Sequence, residues 1–104
     1  TIKRTTTGIS SINEFVPIDY KLYNNFPNPF NPSTNINFDL PKSDFVNLIL
    51  YDISGKEVMK LINETLPAGS YKYILNAGNL NSGAYFVKLQ SKKFTSVIKI
   101  ILIK

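Results

Sequence analysis

The 104-residue chain has no cysteine, no histidine and no tryptophan, and only one methionine and five glycines. Without cysteine there is no disulfide framework, thiolate metal site or thiol nucleophile. Without histidine the usual general base and the commonest metal ligand are missing. Charge is sparse as well: 18% of residues are Asp, Glu, Lys or Arg, and 12 basic against 7 acidic residues give a formal +5. The lysines are scattered from Lys3 to Lys104, with only Lys92 and Lys93 as neighbouring lysines. No basic run follows a phosphate backbone, so no nucleic-acid partner is expected. The longest apolar run, Ile100 to Ile103, is far short of the roughly 20 residues that a membrane-spanning helix needs. The sequence starts at Thr1 with neither Met nor a basic-then-apolar leader, which reads as the start of a fragment or of a processed product.

What is present is apolar and rich in amides: 43% hydrophobic residues, including 13 Ile, and 12 Asn. That length and composition suit one domain with its own core. Residues 1–25 mix Thr, Ser, Lys and isolated apolars without a sustained period, and Gly8 and Pro17 interrupt any helix. They read as a linker, partly docked, with a short strand over Asp19–Tyr23. The segment from Phe26 to Ser33 carries Pro27, Pro29 and Pro32, each fixing φ and removing a backbone donor, which predicts a rigid opening to a domain over residues 26–104.

Strand signals follow at short spacing. Thr34–Leu40 alternates, with Thr34, Ile36, Phe38 and Leu40 on one face, as a strand buried on one side does. Asp44–Asp52 is almost wholly apolar and predicts a central strand covered on both faces. Glu57–Leu66, Ser70–Asn76, Gly83–Ser91 and Phe94–Ile103 read as further strands, separated by turn residues such as Ser54-Gly55 and Pro67-Ala68-Gly69. The expectation is an all-β, antiparallel immunoglobulin-like β-sandwich of about six to seven strands.

Little in this chain carries chemistry. The acids show no spacing typical of a carboxylate dyad or a calcium loop, and Asp39, Asp44 and Asp52 read as a solvated rim at one end of the sandwich. The serines lack a base, and the isolated glycines form no phosphate cradle. No catalytic, cofactor-binding or metal residue is assigned, and the chain is not expected to be an enzyme. Phe38, Phe45, Tyr51 and Tyr85 read as core, while Tyr71 and Tyr73, on one strand face, are the candidates for an aromatic sugar platform. The last strand offers Ile98, Ile100 and Leu102 on one face and Val97, Ile101 and Ile103 around Lys99 on the other. Such a strand is either central in its sheet or an edge kept for pairing, including self-association.

Several motifs in order carry a family resemblance: Phe26-Pro27-Asn28-Pro29-Phe30-Asn31-Pro32-Ser33-Thr34, Tyr51-Asp52-Ile53-Ser54-Gly55-Lys56-Glu57-Val58, Leu66-Pro67-Ala68-Gly69, Ser82-Gly83-Ala84-Tyr85-Phe86, and the closing strand from Lys99 to Lys104. From about Tyr20 to Lys104 the chain resembles the type A C-terminal sorting domain of the type IX secretion system. It is also similar to the immunoglobulin-like domain of flagellar hook-capping proteins, which shares the Asn-Pro-Phe-Asn-Pro opening. The resemblance implies a detachable address on a secreted cargo, which crosses the periplasm and outer membrane to the cell surface or beyond. The implied partners are the type IX translocon, an outer-membrane shuttle protein, a sortase-like peptidase that cuts within residues 1–25, and an N-terminal cargo domain. The marked positions carry onto Pro27, Asn28, Pro29, Gly83, Tyr85, Lys99 and Lys104 as recognition residues. Where many relatives have an aromatic-Asp pair, this chain has Asn76-Ala77-Gly78-Asn79, so any role of that acid is absent. Two other readings stay open on the residues alone: a structural or self-assembling immunoglobulin-like module, and a carbohydrate-binding accessory module.

Overall fold

The computed structural model describes the backbone of Ile9–Asn13 and residues 16–104; the remaining residues of the expected linker lie outside the described residues. Among the described residues eight strands follow one another: β1 (Ile9–Asn13), β2 (Lys21–Leu22), β3 (Ser33–Leu40), β4 (Asp44–Asp52), β5 (Glu57–Leu66), β6 (Gly69–Asn76), β7 (Gly83–Gln90) and β8 (Thr95–Leu102). They form two four-stranded sheets, ordered β1-β6-β3-β2 and β5-β4-β7-β8, and every strand pair is antiparallel. This is the expected immunoglobulin-like sandwich. It has one strand more than the sequence suggested, because Ile9–Asn13, read as linker, pairs with β6.

The strict alternation of β3 places Thr34, Ile36, Phe38 and Leu40 between the sheets. They meet Val46, Leu48 and Leu50 of β4, Tyr85, Val87 and Leu89 of β7, and Ile98, Ile100 and Leu102 of β8 in one core cluster. β4 is central, as expected, but covered on one face only. In a two-layer fold its outward residues Asn47, Ile49 and Tyr51 stay partly open, and Phe45 is 43% exposed. The apolar run of β4 therefore reflects its central position, and neither Phe45 nor Tyr51 is core. β5 breaks its alternation where its register against β4 shifts between Leu48 and Ile49, which leaves the adjacent Leu61 and Ile62 both buried. An extra residue in one strand of a pair produces that phase change.

The turns account for much of the motif content. At the β4–β5 turn the Asp52 carboxylate accepts from the Ser54 hydroxyl (2.6 Å), the Ser54 N–H (2.9 Å) and the Lys56 N–H (3.0 Å). The Ser54 and Lys56 donors hold its pKa below the ordinary aspartate value. Gly55 supplies the positive φ of +88° that this turn requires. At the β5–β6 corner the Tyr71 hydroxyl donates to the Pro67 carbonyl at 2.7 Å. Tyr71 is buried and stacks on Phe38 with ring centroids 5.4 Å apart, and Tyr73 packs against the same core. The candidate sugar platform of the alternative reading is thus turned into the sandwich. The acidic rim also dissolves, since Asp44 and Asp52 sit at opposite ends of β4.

Candidate recognition surface around the last strand

β8 is an edge strand: it pairs with β7 over its whole length, Gly83 opposite Leu102 to Gln90 opposite Thr95. Ile98, Ile100 and Leu102 face the core, while Val97 and Lys99 are exposed and Ile101 is partly covered. An edge this apolar invites unwanted pairing unless it is blunted. The blunting comes from a segment some seventy residues earlier in the chain.

After β2 the chain does not turn directly into β3. Phe26 pairs with Asn35 across the base of a loop, through the Phe26 N–H to the Asn35 carbonyl (3.1 Å) and the Asn35 N–H to the Phe26 carbonyl (2.9 Å). The Thr34 hydroxyl donates to the Pro27 carbonyl at 2.8 Å and holds the loop from inside. Its tip then crosses to the other sheet. The Phe30 N–H donates to the Ile101 carbonyl and the Ile103 N–H donates to the Phe30 carbonyl, both at 2.9 Å. Beside them the Asn28 side chain stands in for a strand peptide, its Oδ1 accepting from the Ile101 N–H at 3.0 Å and its Nδ2 donating to the Lys99 carbonyl at 3.5 Å.

The composition of this loop follows from that task. Phe30 is 2% exposed, and its ring anchors the cover in the core. Pro27 and Pro29 flank Asn28 and have no N–H to offer a further strand, so the cover closes one edge without opening another. Asn meets the edge because a carboxamide presents one donor and one acceptor side by side, as a peptide does.

The end of the chain is tied to the same surface. The Lys104 N–H donates to the Ser82 hydroxyl at 3.0 Å. Its ammonium donates to the Gly78 carbonyl at 2.8 Å and the Leu80 carbonyl at 2.9 Å, in the loop between β6 and β7. Gly83 opens β7 with φ of +153°; nothing lies within 4 Å of where its Cβ would be, so it is the backbone conformation that favours glycine there. Tyr85 is different in kind. It is 9% exposed, and its hydroxyl donates to the Asn81 carbonyl at 2.6 Å, four residues upstream. A tyrosine near the start of this strand, bonded back to the preceding loop, is the tyrosine corner of immunoglobulin-like sandwiches.

The seven residues expected to carry recognition therefore do come together. Pro27, Asn28, Pro29, Gly83, Lys99 and Lys104 are all exposed around the second half of β8, and Tyr85 lies beneath them. Sequence reasoning missed Phe30 and Ile101, whose backbone groups make the cover, and Thr34, whose hydroxyl sets the loop. The family model for the secretion system C-terminal sorting domain matches residues 24–104. The chain belongs to this family. Its members are the sorting domains of type IX secretion and are in general non-catalytic; export across the outer membrane to the cell surface or extracellular space follows from membership. No curated protein matches this chain.

Proposed function

We propose that this sorting domain is read by the translocon and its outer-membrane shuttle in the folded state, at the composite surface around the second half of β8. A sortase-like peptidase then separates it from its N-terminal cargo by a cut within residues 1–25. The observation that carries this reading is the pairing of Asn28 with Lys99 and Ile101, which joins the opening motif and the closing strand into one exposed feature. Pro27 and Pro29 hold Asn28 in place, Gly83 and Lys104 shape the flanking loop, and Lys99 presents its charge outward. Tyr85 acts from behind by fixing the corner on which Gly83 and Ser82 sit. A receptor that meets a surface already rigid loses little conformational entropy on binding.

The test fuses the 104-residue chain to a reporter delivered to the periplasm of a type IX-competent bacterium. Lys99 is exposed and its side chain leaves the core untouched, so Lys99→Glu changes stability by less than about 0.5 kcal/mol. The expected result is periplasmic retention of the folded Lys99→Glu fusion and export of the parent. Export of the variant at the parent level would overturn the assignment of this surface.

A further inference from the structure

The opposite edge of the molecule is closed in another way. β6 pairs with β3 along its whole length, Asn76 opposite Ser33 to Gly69 opposite Leu40, and with β1 on its other side. The β1 pairing runs Ile9–Tyr73, Ser10–Lys72 and Ser11–Tyr71, then shifts register before Asn13–Ser70. β1 touches the rest of the sandwich almost wholly through β6. β6 would therefore stay in its sheet if β1 left, but with an unpaired edge lined by Tyr73, which packs against the core. In the connection from β1 to β2, Val16 and Ile18 are 60% and 90% exposed, and the chain is first fixed at Tyr20, which stacks on Phe94 and donates to Asp44 just before β2. The family match begins at residue 24, past both β1 and this connection.

We propose that the β6 edge is a strand-acceptor site, filled within one chain by Ile9–Asn13 and, in exchange, by the same strand of a second copy. A second copy is the occupant that the structure argues for, because its strand repeats every backbone hydrogen bond made within one chain. Exchange of an identical element changes only tether and translational terms. A short tether holds β1 at an effective concentration on the order of millimolar, so exchanged dimers form as the chain approaches that range.

The absence of cysteine makes the test clean. Ser10 and Lys72 lie opposite each other, and facing residues of an antiparallel pair are separated by about 4.5–5.5 Å between Cα atoms, within disulfide reach. The Ser10→Cys and Lys72→Cys variants of the 104-residue chain are mixed at ~1 mM under mild oxidation, alongside Ser10→Cys mixed with Lys56→Cys, whose thiol sits in the β4–β5 turn. The double variant Ser10→Cys/Lys72→Cys, at low concentration, reports pairing within one chain. Exchange predicts an intramolecular bridge in the double variant and a Ser10–Lys72 heterodimer several-fold above the Lys56 control, rising with concentration. Equal heterodimer yields for the two mixtures would overturn the proposal, as would failure of the intramolecular bridge. Capture of Lys72→Cys by a synthetic peptide of residues 6–16 carrying Ser10→Cys, but not by the whole chain, would assign the edge to a foreign strand and also overturn exchange.

Discussion

Removing the Tyr85 hydroxyl separates building the surface from being read at it. Tyr85→Phe keeps the buried ring and deletes one hydrogen bond, the 2.6 Å donation to the Asn81 carbonyl. A protein hydrogen bond of this kind contributes about 0.5–1.5 kcal/mol net. Asn81 is exposed, so water can satisfy its carbonyl afterwards and the loss stays near ~1 kcal/mol rather than the full desolvation penalty. For a domain of about 60–100 residues, ~1 kcal/mol lowers Tm by about 4–8 °C. Thermal unfolding followed by circular dichroism measures that shift, and the reporter fusion measures export in parallel. The expected outcome is a lower Tm with export at the parent level wherever the variant remains folded. An unchanged Tm would refute the corner as a stabilising device. Export lost in a variant of parental Tm would show that the hydroxyl itself is read.

Phe30→Ala empties a core position that is 2% exposed and should cost about 3–5 kcal/mol; a urea-unfolding loss under about 1 kcal/mol would mean that the cover is not anchored by its ring. Deleting Lys99–Lys104 removes Ile100 and Leu102, 0% and 1% exposed. At roughly 2–5 kcal/mol for each such side chain, against a typical total of about 5–15 kcal/mol, the expected product is unfolded, and a native-like circular dichroism spectrum would contradict the packing described here. Burial alone would raise the Asp44 pKa, but hydrogen bonds led by the Tyr20 hydroxyl at 3.0 Å and the Phe45 N–H at 2.8 Å outweigh it and hold the carboxyl below the ordinary aspartate value. A pKa depressed on folding adds stability above the unfolded value, and that stability is lost as pH falls through the folded one. Asp44→Asn should therefore be less stable than the parent at neutral pH, with the gap closing below about pH 4; a gap in urea midpoints that persists at pH 2 would reject this.

Strand content was legible because side-chain period and burial coincide in a two-layer fold. Thr34–Leu40 and Gly83–Gln90 alternate in the sequence as they alternate in the structure. β1 was not legible, since Ile-Ser-Ser-Ile-Asn carries no β-branched run and its pairing depends on an edge that β6 provides. Nor could the exposure of Phe45 be read from its apolar neighbours, because an apolar run fits a strand covered on one face or on both. The residues proposed for recognition stand in motifs that the sequence displays, but their convergence was not legible. Asn28 and Ile101 lie 73 positions apart, and no local pattern announces that a carboxamide will complete a strand edge.

That convergence bears on how an address of this kind can be dissected. Asn28 meets Lys99 and Ile101, and Lys104 meets Ser82 and Gly78, only when both sheets are assembled. The surface is therefore a property of the folded domain, and a deletion that unfolds it removes the surface whatever part the receptor touches. Burial separates the two kinds of residue. Ile100, Leu102, Phe30 and Tyr85 are enclosed and build the surface, while Asn28, Lys99 and Lys104 are exposed and can be changed with the core intact. Within the motifs, Asp52, Gly55, Pro67 and Tyr85 serve turns and corners, so the fold alone accounts for them. On the proposed reading, recognition falls to the few exposed groups that the covered edge of β8 holds in register.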